Sequence, residues 1–398
     1  MHRTALKGFS KVFGVGATAI VRAPGRVNLI GEHIDYCGLP VLPMAIRSAV
    51  WLAFRPAEGR TVRVATDIDG LEPCTFEASG SIHPGPAGDW GNYVRAAVQA
   101  IGPPCGFDAF VTSDLPVASG LSSSSALVVA TALASIAASG RGQPAPLALA
   151  GELAEAERYV GTAGGGMDQA ACLLGRAGHA LRIDFDPLRV EPVAFPAGWR
   201  LVVGHSGEPA AKSGDAQSLY NLRTRESASA AVSVAATLGV AAPPAGYPAL
   251  LARHTVTELL DAARRALEEP LCRRFRHVVS ESERVLGAIE AIRSGDLSRT
   301  GGLLNASHRS LKCDYEVSTP ALDTLVGAAL HAGAAGARLT GAGLGGCAIA
   351  LCEESSLDAV FGAVQAFEAA RPGPRIALVA EPSDGARVWS DSGADISE

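Results

Sequence analysis

The sequence predicts an α+β protein. Three observations carry that expectation: strand-like and helix-like segments are mixed without a regular βαβ rhythm, a sustained helical stripe marks the second half, and no fixed-period repeat runs through the chain. Near the start, Leu6, Phe9 and Phe13 fall on one face of a short amphipathic helix. Thr18–Arg22 reads as a strand, which Pro24 and Gly25 are expected to break. Strand signals follow at Val41–Ala53 and Val62–Ala65, a helix at Asp89–Ile101 and a strand at Asp108–Ser113. A Gly/Ser turn then leads into a long apolar helix from about Ser122, and Pro144–Val160 reads as another helix with Pro146 in its first turn.

A second half is expected to begin near Trp199, with a strand at Leu201–Val203. Helices are expected at about Ala216–Leu238, Phe275–Ile292 and Leu297–Leu311, with a Pro/Gly/Ala loop at Ala241–Tyr247. Strand and helix alternate at the end: Ala337–Leu339, Ala348–Leu351, Ser356–Ala370 and Ile376–Ala380. The expected division is 1–195 and 196–389, followed by a small, polar tail, 390–398, expected to be disordered.

Composition narrows the function. The 398 residues allow two or three domains, and 48% hydrophobic residues suffice for a sizeable core. A formal net charge of −6 with 19% charged residues argues against nucleic acid or an anionic membrane as the main partner. The N-terminus has no long apolar core or small-residue cleavage site, so no secretory signal is expected. The longest apolar run, about Ala126–Ala138, is interrupted and too short to span a bilayer. The eight scattered cysteines match no zinc or redox spacing, and reduced, mostly buried thiols in a cytoplasmic protein are the expectation. A small-molecule handler, monomeric or weakly self-associating, fits this balance best.

Four segments bear chemistry. In Pro116–Ala126, PVASGLSSSSA, a strand runs through small residues into a helix. Backbone N–H groups there can approach an anion, the helix N-terminus favours negative charge, and hydroxyls can ligate magnesium. Taken alone, a Ser-rich turn capping a helix explains it as well. In Arg22–Gly38, the groups Arg26, Glu32, His33 and Asp35 crowd around glycines, as polyol recognition requires; the bland alternative is a charged surface loop. Gly164–Gln169, GGGMDQ, holds Asp168 either as a helix N-cap or as a carboxylate placed against an incoming hydroxyl. Leu339–Cys347, LTGAGLGGC, suggests a turn whose backbone approaches a ligand or another loop, or else a plain glycine-rich hairpin.

In this order and spacing, the four segments closely resemble the GHMP small-molecule kinases, over about Phe9 to Leu351. GRVNLIGEHIDY resembles the galactokinase signature, GLSSSSAL the family's phosphate loop and LTGAGLGGC its third motif. Ser307-His-Arg-Ser-Leu and Tyr315-Glu-Val also match the galactokinase branch, while GEHIDYCG and ERYVGTAGGGMDQ are closer to N-acetylgalactosamine kinases. The resemblance implies two α+β domains with the active site between them, ATP as co-substrate and Mg²⁺ as cofactor. It implies that Ala118, Ser119, Gly120, Leu121, Ser122, Ser123 and Ser124 wrap the ATP phosphates, and that Ser124 and Glu157 ligate the metal. Asp168 matches the catalytic carboxylate and Arg26 the transition-state arginine, whose charge would keep Asp168 ionised. Glu32, His33, Ile34, Asp35 and Tyr220 match sugar contacts. The stretch from Glu157 to Asp168 is one residue shorter than in ordinary galactokinases, and His205–Gln217 departs from the usual pattern. Galactose is the expected acceptor. N-acetylgalactosamine, arabinose or a uronic acid stays open beside it, as does a non-catalytic sugar and ATP sensor on the same fold.

Overall fold

The computed structural model describes residues 1–117, 119–161, 164–210, 215–240 and 246–390. Two sheets organise these residues. In the first half the elements run α1 (His2–Phe13), β1 (Ala19–Asn28), β2 (Pro43–Pro56), β3 (Thr61–Thr66), β4 (Cys74–Glu77), α2 (Gly91–Ile101), β5 (Phe107–Ser113), α3 (Ser123–Ala138), α4 (Pro146–Ala156), α5 (Met167–Leu174), β6 (His179–Phe185) and β7 (Leu188–Ala194). The second half runs β8 (Trp199–His205), α6 (Asp215–Thr237), α7 (Tyr247–Leu251), α8 (Val256–Ala266), α9 (Leu271–Arg293), α10 (Leu297–Ser310), α11 (Pro320–His331), β9 (Gly336–Leu339), β10 (Cys347–Glu353), α12 (Leu357–Ala369), β11 (Leu378–Ala380) and β12 (Arg387–Ser390).

The six-stranded sheet has the order β12-β1-β2-β5-β3-β4, the four-stranded sheet β11-β8-β10-β9, and β6-β7 form a separate hairpin. The fold is thus α+β, and the final strand returns to the first sheet, pairing antiparallel with β1 from Ala19↔Ser390 to Arg22↔Arg387. After its three opening serines helix α3 is apolar but for Thr131 and Ser135, so every face can be buried, and twelve consecutive residues from Ser125 to Ile136 are. The apolar core is continuous from the first sheet, through α3 and α5, to α9 and the second sheet.

Several local expectations change. Pro24 and Gly25 do not end β1; its register against β2 shifts between Pro24 and Arg26 and the strand continues to Asn28. A Cβ on Gly25 would meet Leu115 Cδ2 at 2.4 Å and the Leu121 carbonyl at 2.7 Å, so this bulge is where β1 touches the Ser-rich turn. The helix expected over Pro144–Val160 ends at Ala156 and tightens into a 3₁₀ turn at Glu157–Val160. Tyr247, expected in a loop, opens α7; the rest of that loop, 241–245, lies outside the described residues. Of the expected tail, Ser390 is the last residue of β12, and 391–398 lie outside the described residues.

All eight cysteines are unpaired: four are buried, three half-buried and Cys313 is exposed. Among the described residues no helix is long and apolar enough to cross a membrane.

Candidate active site

One pocket gathers three of the four segments. Its wall comprises Arg26, Glu32, His33 and Asp35 from the stretch after β1, Gly164–Gln169 at the start of α5, Tyr220 of α6, and Gly341 and Ala342 of the loop after β9. Both halves of the chain therefore contribute.

The bulge in β1 turns Arg26 inward. Arg26 is buried; its Nε donates to Asp168 Oδ1 at 2.7 Å, its Nη1 donates to the Gly120 carbonyl at 2.7 Å, and its backbone N–H donates to the Leu121 carbonyl at 3.1 Å. One arginine thus ties the Ser-rich turn to the carboxylate. Asp168 is not a helix cap. Gly166, with φ 95°, occupies the N-cap of α5, and Asp168 sits in the first turn, where the helix dipole favours its charge. Ser125 Oγ donates to its second oxygen at 3.4 Å. A guanidinium on one side and a hydroxyl on the other fix the carboxylate's plane, as an acceptor for a hydroxyl proton requires.

Asp35 lies across the pocket. The Gly165 N–H donates to Asp35 Oδ2 at 3.0 Å. A Cβ on Gly165 would meet the Asp35 carbonyl carbon at 2.4 Å and Tyr36 N at 2.5 Å, so only glycine permits this approach. Burial, with the Asp168 charge adding to it, pushes the Asp35 carboxyl up to about 6.

Glu32 is buried, lines the pocket and is held by four neighbours. It accepts from Asn28 Nδ2 at 2.8 Å, the Gly341 N–H at 2.9 Å and Thr340 Oγ1 at 3.4 Å, and it pairs with Arg338. His33 has φ 64°, a left-handed backbone uncommon outside glycine and concentrated at functional sites. Burial lowers its ring to about 3, so it is neutral at physiological pH. Its Nε2 donates to the Ala342 carbonyl at 3.0 Å, and Nδ1 therefore accepts from Tyr36 Oη at 2.9 Å. Tyr36 in turn accepts from Tyr315 Oη at 2.9 Å. The rings of His33, Tyr36, Tyr220 and Tyr315 form one aromatic wall, with Tyr220 centred 5.5 Å from His33 and 5.6 Å from Tyr36. Ile34 faces away into the core, fully buried.

The Ser-rich turn adjoins the pocket. Ser119 Oγ donates to the Pro116 carbonyl at 2.8 Å. Ser122, at the N-cap of α3, has φ 61° and a buried hydroxyl with no partner among the described residues. A buried hydroxyl on left-handed backbone at the N-terminus of a 16-residue helix fits an anion. Ser123 and Ser124 open the first turn of α3, half-buried. The third motif backs this turn: Cβ atoms on Gly341 and Gly346 would meet the carbonyls of Gly120 and Ser119 at 2.8 Å each. Ala118 and the side chain of Glu157 lie outside the described residues.

The comparisons with known proteins agree with this geometry. Family models match at residues 7–56 (galactokinase galactose-binding signature), 92–176 (GHMP kinases N terminal domain) and 288–370 (GHMP kinases C terminal). The chain is 40% identical to a galactokinase of Roseiflexus sp. (strain RS-1) over 88% of this chain and 87% of that one. The chain belongs to the galactokinase family. A Chloroflexus aggregans galactokinase is 39% identical over 93% of each chain. The solved structure of Lactococcus lactis galactokinase complexed with galactose superposes with a TM-score of 0.84 at 30% identity, covering 96% of this chain and 98% of that one. Methanococcus jannaschii mevalonate kinase, at 18% identity and a TM-score of 0.61, shares the two-domain GHMP fold.

Membership of the galactokinase family makes this a sugar kinase. Sequence reasoning gave no role to Ser125 beside Asp168, to Tyr36 and Tyr315 behind His33, or to Arg338. Ser125, Tyr36 and Tyr315 lie inside motifs already singled out, and Arg338 stands as a lone charge in the apolar strand before the third motif.

Proposed function

We propose that the protein transfers the γ-phosphoryl group of ATP to the C1 hydroxyl of galactose. The observation that carries this is the Arg26–Asp168 pair, which faces the polyol-binding side chains on one side and the Gly120 backbone on the other. The sugar oxygen attacks the γ-phosphorus, the bond from that phosphorus to the β,γ-bridging oxygen breaks, and ADP leaves. Asp168 accepts or orients the hydroxyl proton, and Arg26 offsets charge on the transferring group. Glu32, Asp35 and Tyr220 read the ring hydroxyls, with neutral His33 supporting the wall.

Ser124 supplies a hard oxygen at the helix N-terminus, which suits a magnesium ion bound chiefly through phosphates; Glu157 is its proposed second ligand. Bound there, the ion would neutralise phosphate charge. No cluster of three His, Cys, Asp or Glu side chains occurs among the described residues, and a phosphate-bridging magnesium needs none. Eight unpaired thiols support a reducing compartment, and we place the protein in the cytoplasm.

ATP consumption measured with galactose, N-acetylgalactosamine, glucose, arabinose and galacturonate tests the reading. The expected order puts galactose first and glucose, inverted at C4, far behind, because buried partners left unpaired cost several kcal/mol. Preference for another sugar would replace the substrate; binding of sugar and ATP without turnover would replace the kinase by a sensor.

A further inference from the structure

Arg338 has no role in the reading above, yet among the described residues it is the most completely buried Lys or Arg of the second half, with no measurable exposure. It belongs to β9, paired with Ile349 of β10 in the four-stranded sheet. Its side chain crosses to the first half, where Nη1 donates to the Leu29 carbonyl at 3.0 Å and the Asn28 carbonyl at 3.4 Å and pairs with Glu32 Oε2. The Nε and Nη2 groups have no partner among the described residues. A buried ion pair rarely repays its desolvation, and one with two unpartnered donors repays less, so stability is a poor reason for this arginine. Glu32 supplies another. Burial pushes its carboxyl upward, and Arg338 is the largest influence holding it down. The loop after this strand begins with Thr340 and Gly341, which also bind Glu32, and Gly341 lies against Gly120 of the Ser-rich turn.

We propose that Arg338 is a positioning residue for the sugar: it holds Glu32 fixed in the pocket wall, and it anchors that wall to the strand whose following loop backs the Ser-rich turn. This rests on the proposed sugar-kinase reading, and two kinds of measurement keep the two apart. The first needs no sugar. In Arg338→Met the buried Glu32 charge loses its counter-charge, so its folded-state pKa lies further above the unfolded value. Stability of Arg338→Met should then fall, relative to wild type, as pH rises from 5 to 8, and Glu32→Gln in the same background should abolish that extra slope. Equal slopes for Arg338→Met and the double variant would show that Arg338 does not govern the charge on Glu32.

The second is steady-state kinetics. Galactose KM should rise about tenfold or more in Arg338→Met, while ATP KM stays within about twofold, and Arg338→Lys should give an intermediate galactose KM. Equal rises in both KM values, or an unchanged galactose KM in the folded variants, would overturn the proposal. If Arg338→Met does not fold, Arg338→Lys decides: a rise confined to galactose supports the assignment, and no rise or a joint rise refutes it. If wild type shows no galactose turnover, the substrate reading fails, and the pH slopes still report on the Arg338–Glu32 pair.

Discussion

Replacing Asp35 by asparagine should stabilise the fold while damaging the sugar site. Burial and the nearby Asp168 charge raise the Asp35 carboxyl from 3.8 to about 6. At 1.36 kcal/mol per pH unit that distance amounts to about 3 kcal/mol when the group is charged. The side chain retains some solvent contact, which screens the charge, so a gain of about 1–2 kcal/mol is expected for Asp35→Asn at pH 8. Asparagine still offers an acceptor to the Gly165 N–H. The sign follows from a folded pKa above the unfolded one. Below about pH 4 the acid is neutral in both states and the cost vanishes; it grows between 4 and 6 and is complete above 6. About half of the gain should therefore remain at pH 5. Urea unfolding of both proteins without sugar, at pH 5 and pH 8, reads the difference in midpoints at a common m-value. In the same preparation galactose KM should rise at least tenfold, the scale of a lost hydrogen bond to a charged group. No stabilisation at pH 8, or an equal gain at both pH values, would refute the idea that burial loads this carboxylate.

Asp168→Asn should lower kcat by about 10²-fold or more with sugar affinity within a few-fold, measured by steady-state kinetics and sugar titration. Near-normal kcat would remove Asp168 from the chemistry. Ser124→Ala should move the Mg²⁺ dependence of turnover to higher concentration, and an unchanged titration would place the metal elsewhere. Gly165→Ala, whose Cβ must displace the Asp35 and Tyr36 backbone, should raise galactose KM several-fold with ATP KM nearly unchanged; equal effects on both would mean general unfolding instead.

The chemistry of this chain was legible because it is concentrated in short runs. Glycines and hydroxyls crowd Pro116–Ala126, and acids crowd Glu32–Asp35. The continuous apolar run of α3 and the helical stripe of α9 were legible for the same reason. What escaped depends on distant partners. Pro24-Gly25 signals a break, but β2 on one side and the Leu121 carbonyl on the other hold the strand through it as a bulge. Asp168 next to three glycines reads as a cap until Arg26, 142 positions away, is seen to claim it. Arg338 and Tyr315 acquire meaning only through Glu32 and Tyr36, in the other half of the chain. The hairpin β6–β7 and the four-residue β12 are too short or too mixed to stand out locally.

The pairing of β12 with β1 sets an order of events during synthesis. β1 is made within the first thirty positions and carries Arg26 near its end, yet one of its two neighbours is specified by Arg387–Ser390. A nascent chain therefore keeps a strand with one bare edge until Arg387–Ser390 has been made, more than 350 positions later, and that edge is open to other chains meanwhile.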